Sequence, residues 1–138
     1  VILYLDSSSM VKLFLLEPDS LAVRSQAGAA DRLASSRIAY AEVRSAFARK
    51  HRDGDLSASD YREATSRLSV RWRGYFVVEV TQQVVELAGD LCESHRLRGM
   101  DAIHLASAKL LAAETAMHVR ISSSDPRLQE AAAVEGLA

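Results

Sequence analysis

A three-layer α/β sandwich with a mainly parallel central sheet is the fold this sequence predicts. Short strand-like apolar runs stand at residues 1–5, 76–80 and 119–121, and helical periodicity fills the stretches between them. Only six glycines and two prolines interrupt 138 residues, which favours long regular elements. Strands separated by helices are joined by crossovers, so neighbouring strands run parallel and helices cover both faces.

Residues 1–5, VILYL, are continuously apolar and suit a strand buried on both sides. The run stops at Asp6-Ser7-Ser8-Ser9, polar residues that favour capping a helix. Residues 10–16 read as that helix, ended near Glu17-Pro18, and a second helix begins after Asp19. Residues 33–38 are a further, less apolar strand candidate. From Tyr40 the chain turns helical, with Tyr40, Val43 and Phe47 on one stripe, until Asp53-Gly54-Asp55 breaks it. Ser57 and Ser59 offer caps for a longer helix with Tyr61, Thr65, Leu68, Trp72 and Tyr75 along one face. Residues 76–80, FVVEV, form the next strand. Val84, Leu87, Ala88, Leu91 and His95 mark a helix ending near Gly99. Asp101 opens another, apolar on nearly every side through Ala113. A short strand at residues 119–121 precedes a last helix that starts at Asp125-Pro126. No repeat or linker divides the chain, so residues 1–138 read as a single domain.

Composition narrows the function. Hydrophobic residues make up 49% and charged residues 25%, as in a folded globular protein. Lys+Arg 17 against Asp+Glu 18 gives no bulk basic charge, so any surface for nucleic acid has to be local. Cys92 is the single cysteine, which excludes an intrachain disulfide and a thiolate metal site. No apolar run approaches membrane-spanning length, and no leader-like segment is evident; the expectation is a cytoplasmic protein without membrane contact.

Four acids fall where such a fold builds its sites. Asp6 follows the first strand, Asp125 follows the strand at 119–121, and Glu42 and Asp101 lie near helix starts. Strand ends and the next helix starts gather at the carboxyl edge of a parallel sheet. Each acid alone has an ordinary explanation, as a helix cap or as a complement to a helix dipole. Asp6 resists it most, because Ser7 to Ser9 could cap the helix without placing a charge beside a buried strand. Two carboxylates about 4 Å apart repel by roughly 4 kcal/mol at an effective dielectric of 20, so a cluster calls for protons or a cation. Oxygen ligands without Cys or paired His select Mg²⁺ or Mn²⁺ over zinc. A metal so held can activate water for attack on a phosphodiester. A two-carboxylate glycosidase fits less well, since it needs only two of the four.

The stretches YLDSSSMVKLF (4–14), AYAEVRSAFAR (39–49), RGMDAIHLASA (98–108) and SSSDPRLQEAAAVEGL (122–137) resemble the PIN-domain nucleases, specifically the VapC-type toxins of bacterial toxin–antitoxin pairs. They occur in that family's order and cover nearly the whole chain. The resemblance implies a PIN-like sandwich and a metal-dependent endoribonuclease acting as a toxin. It implies a catalytic set of Asp6, Glu42, Asp101 and Asp125, with Asp6, Asp101 and Asp125 on Mg²⁺ or Mn²⁺. Glu42 would bind directly or through water and position the nucleophile. Ser8 and Ser123 match supporting positions that hold the carboxylates or a metal-bound water. The implied partners are an RNA substrate, a small VapB-type antitoxin and a second copy of the chain. The sequence stops soon after Gly136-Leu137, where relatives often add a last edge strand.

Other residues read as structural. His104, one turn from Asp101 on an apolar helix, fits a hydrogen-bonded core histidine better than a substrate contact. Tyr40 and Trp72 fit packing better than base stacking, and Cys92 fits a small core residue. Arg44, Arg49 and Arg52 face either RNA, an acidic partner or solvent. Residues 10–16 are more apolar than a one-sided helix needs, which points either to a partner surface or to burial inside the domain.

Rival readings lack key residues. A receiver domain wants an acid pair after the first strand and a lysine after a late one; Asp6 stands alone, and Ser122 to Asp125 holds no lysine. An aspartyl-phosphate phosphatase wants a second Asp where Ser8 stands. A non-catalytic binding module of the same fold is the remaining alternative, and the presence of all four acids gives it no support.

Overall fold

A computed structural model describes residues 1–138. It contains four strands, β1 (Ile2–Leu5), β2 (Arg32–Ser36), β3 (Phe76–Val78) and β4 (Val119–Ser122). Seven helices connect or follow them: α1 (Ser7–Phe14), α2 (Ser20–Ala29), α3 (Arg37–Arg52), α4 (Ala58–Trp72), α5 (Gln82–His95), α6 (Gly99–Thr115) and α7 (Pro126–Val134). The strands pair in the order β3-β2-β1-β4, and every pairing is parallel.

The central strand explains the three layers. All four residues of β1 are buried, and a strand alternates its side chains between faces. Leu3 and Leu5 enter a core built with Met10, Phe14, Val43, Phe47 and Leu68 from α1, α3 and α4. Ile2 and Tyr4 enter the opposite core, with Val84, Leu91, Leu105, Leu111 and Leu128 from α5, α6 and α7. The apolar run at the start of the sequence is therefore a strand sandwiched between two helical layers. No helix is long and apolar enough to cross a membrane.

Several boundaries differ from the sequence reading. The helix expected at residues 10–16 begins at Ser7, directly after its cap Asp6. Its apolar side chains point inward: Met10, Val11, Phe14 and Leu15 are buried, while Leu16 is 79% exposed. The surplus that suggested a partner surface is mostly internal packing, because α1 lies against the sheet and is flanked by α2, α3 and α4. β2 spans Arg32–Ser36, and α3 starts at Arg37 rather than near Tyr40 because the Ser36 hydroxyl accepts from the Ile38 backbone N–H at 3.4 Å. Glu42 consequently lies beyond the first turn of α3, too far in for the helix-dipole explanation. β3 ends at Val78, ahead of Thr81, which caps α5 by accepting from Val84 N–H at 3.2 Å. No fifth strand forms. After α7, Gly136 adopts a positive φ of 76°, open to glycine without strain, and turns the chain back. Buried Leu137 then accepts from the Ile121 N–H at 2.7 Å through its carbonyl.

Candidate active site

Asp6 stands at the carboxyl end of the central strand and is only 4% exposed. Its Oδ1 accepts from the Ser8 hydroxyl at 2.7 Å and from the Ser9 backbone N–H at 2.9 Å, and its Oδ2 accepts from the Ser123 hydroxyl. Asp6 thus caps α1 and anchors the loop after β4. The two serines tie that loop down further: Ser8 Oγ accepts from Ser124 N–H at 2.9 Å, and Ser123 Oγ accepts from Asp125 N–H at 3.0 Å. A buried carboxylate held by several donors is fixed in orientation.

Asp125 caps α7, accepting from the Arg127 N–H at 2.9 Å, with Pro126 in the first turn. With Asp101, Arg98, Arg127 and Leu97 it lines a cleft of about 240 Å³. Asp101 sits in the first turn of α6. Its carboxyl is pushed above the ordinary aspartate range, chiefly by partial burial and then by the charges of Asp125, Asp6 and, more weakly, Glu42; His104 opposes the shift. Three acids, from the end of β1, from α3 and from the β4–α7 loop, therefore act on the Asp101 carboxyl of α6 at one sheet edge.

Glu42 reaches the same edge from the other helical layer. Its Oε1 pairs with His104 Nε2 at 2.8 Å, and Glu42 also lines a cleft of about 530 Å³ with Ser7, Ser8, Val11, Ser45 and Arg49. His104 is buried, and its Nδ1 lies 2.8 Å from the Tyr4 hydroxyl. It is the hydrogen-bonded core histidine that its surroundings predict. Tyr40 and Trp72 pack edge to face at 5.5 Å, and the Tyr40 hydroxyl bonds Ser69. Of the three arginines noted on α3, Arg44 lies over the Tyr40 ring and Arg49 enters the cleft beside Glu42.

The donor set suits a hard cation, since carboxylate and hydroxyl oxygens surround the edge and Asp101 already feels its neighbours' charge. No three of the acids stand close enough to enclose one ion, because Asp6 and Asp125 are turned into helix caps and Glu42 toward His104. That arrangement is compatible with Mg²⁺, which keeps several of its own waters and takes only one or two carboxylates directly. Sequence reasoning passed over Arg98 and Arg127, although both lie within the quoted motif stretches, and it gave Tyr4 no role beyond the strand.

Residues 3–134 match the PIN domain family. Ribonuclease VapC49 of Mycobacterium tuberculosis (strain ATCC 25618 / H37Rv) is 40% identical over 107 residues, covering 78% of this chain and 74% of that protein. Ribonuclease VapC46 of the same strain is 35% identical over 136 residues, 99% of this chain and 94% of that one. Among solved structures, Mycobacterium tuberculosis VapC20, described as a sarcin–ricin loop cleaving toxin, superposes with a TM-score of 0.67 at 16% identity, covering 94% of each chain. A toxin–antitoxin complex from Klebsiella pneumoniae gives a TM-score of 0.64 at 17% identity over 88% of this chain and 85% of its own. These two speak for the fold. The family match along nearly the whole chain and the sequence relatives establish that this protein belongs to the PIN-domain family, among its VapC-type members.

Proposed function

We propose that the chain is a metal-dependent endoribonuclease, the toxin of a toxin–antitoxin pair. The observation that carries this reading is Asp101, lifted above its ordinary range beside Asp125 and Asp6 at the carboxyl edge of the sheet. The ribonuclease relatives supply the substrate class, RNA. Asp6, Asp101 and Asp125 are the residues to hold Mg²⁺ or Mn²⁺, one or two of them directly and the rest through the ion's waters; such an ion would lower the pKa of water and steady charge on a phosphodiester. Ser8 and Ser123 keep Asp6 in place, and Glu42 orients the attacking water. Arg98 and Arg127, beside the acids, suit the phosphates of a bound strand through their planar forks.

Water attack places its oxygen on phosphorus, expels the 3′-oxygen and leaves a 5′-phosphate and a 3′-hydroxyl. Purified protein freed of partners and given Mg²⁺ or Mn²⁺ is expected to cut single-stranded or looped RNA internally, and chelation to stop it. Mass spectrometry of the ends checks the route. Cyclic 2′,3′-phosphate would rule out metal-activated water, and no cleavage across a broad transcript pool would favour a binding module.

We further propose a homodimer and a small VapB-type antitoxin as partners, the latter on the strength of the Klebsiella complex. With α1 largely internal, the apolar surface left for association includes Leu16, Leu21 and Val70, at 79%, 76% and 62% exposure. Light scattering is expected to give the mass of a dimer. A monomer at every working concentration would overturn that expectation.

A further inference from the structure

Tyr4, His104 and Glu42 form a chain of hydrogen bonds that crosses the sheet edge. Tyr4 is on β1, His104 on the α6 layer and Glu42 on the α3 layer. Both links measure 2.8 Å, Tyr4 and His104 are almost wholly buried, and the two rings meet edge to face at 5.8 Å. Only the last member opens to the outside, through the cleft that Glu42 shares with Ser8 and Arg49.

The chemistry of the chain fixes its direction. A carboxylate oxygen can only accept, so His104 must present Nε2–H to Glu42. Tyr4 keeps its proton, since burial pushes its phenol well above the ordinary range. With a neutral His104 ring, the Tyr4 hydroxyl is then the donor that meets the bare Nδ1. A histidine whose second nitrogen is occupied in this way is locked in one tautomer and one ring orientation. Glu42 Oε1 is engaged by His104, leaving Oε2 as the oxygen available in the cleft.

We propose that His104 is a positioning residue: oriented by Tyr4, it holds Glu42 by Oε1 so that Oε2 faces the scissile region in one fixed direction. The role rests on the ribonuclease reading of Glu42, while the hydrogen-bond chain itself does not. His104 touches neither RNA nor the attacking water.

Nitrogen-15 NMR of the histidine rings in the parent protein tests the chain without any activity. His104 is expected as the pure Nε2–H tautomer. Tyr4→Phe, which keeps the ring and removes the donor, is expected to keep Nε2–H on Glu42 and to shift the Nδ1 resonance as that nitrogen loses its partner; an Nδ1–H ring in the parent, or a Tyr4→Phe spectrum unchanged at His104 Nδ1, overturns the proposal. Kinetics test the role. His104→Asn, which cannot reach Glu42, is expected to lower kcat about 10- to 100-fold with KM nearly unchanged. His104→Gln, whose amide nitrogen falls near the Nε2 position, is expected to restore most of that loss. In a Glu42→Ala background His104→Asn is expected to cause no further loss, because the two act as one unit. Additive losses, or a folded His104→Asn protein as fast as the parent, overturn the positioning role. Absence of RNA cleavage by the parent would defeat the ribonuclease reading and the positioning role with it, while the ring spectra still decide the hydrogen-bond chain.

Discussion

Asp101→Asn is expected to lower kcat by about 10²- to 10³-fold, the range for removing one electrostatic group from a reaction centre, and yet to raise the melting temperature of the metal-free protein by a few degrees. Burial and the charges of Asp125 and Asp6 raise the Asp101 carboxyl in the folded state. The folded protein therefore binds that proton more readily than the unfolded chain does. The stability this contributes is fully present below the unfolded aspartate pKa and is lost as pH rises through the raised folded value. The amide carries no charge and escapes that loss, so the gap between variant and parent should open over the same window. Added Mg²⁺ should stabilise the parent, since a ligand bound only to the folded state does so, and should stabilise the variant less. Thermal scans from mildly acidic to neutral pH, with and without metal, measure all three effects. A metal-free variant clearly less stable than the parent would make Asp101 a structural residue.

Asp6→Ala should be as damaging to cleavage and opposite in its effect on stability. The carboxylate accepts from Ser8, the Ser9 N–H and Ser123, and it is buried at the end of the central strand. Truncation removes the cap of α1, worth about 0.5–2 kcal/mol, and strands donors at a buried site, at about 1–3 kcal/mol for a group left unsatisfied. Urea unfolding is expected to show a lower midpoint with an unchanged slope, the sign of lost stability without a change in compactness. A variant as stable as the parent would mean that the serines find water or each other instead. Two acids on one edge thus divide: Asp101 is a charge the fold tolerates, and Asp6 is one it uses.

The sequence discloses some of this plainly and hides the rest for identifiable reasons. The apolar run before Asp6 suits a doubly covered strand and its end, and β1 is such a strand over Ile2–Leu5, with Val1 left exposed ahead of it. Ser57 and Asp125 announce their helices because capping is local chemistry. The start of α3 was harder, since nothing between Arg37 and Tyr40 breaks a strand and Ser36 differs from Ser35 only in what its hydroxyl meets. The burial of α1 was open because periodicity reports how apolar a helix is, not how many neighbours cover it. The bond between Glu42 and His104 joins residues 62 positions apart and could not be read locally. The family motifs located the four acids, and only the folded structure reveals which of them are already engaged as caps and which one repels its neighbours.

Strand order also sets a schedule for synthesis. The register places Ile2 beside Val119 and Leu5 beside Ser122, while the other side of β1 is taken by β2, with Ile2 beside Arg32. At about 5–20 residues per second of chain growth, roughly 6 to 23 seconds separate the emergence of the central strand from that of its second neighbour. Throughout that interval one edge of VILYL is open, a template for pairing with the wrong chain. Over the same seconds Asp6 lacks Ser123, and Asp125 has not been made. A ribosome working on this message therefore holds a product that is prone to stick before it is able to cut.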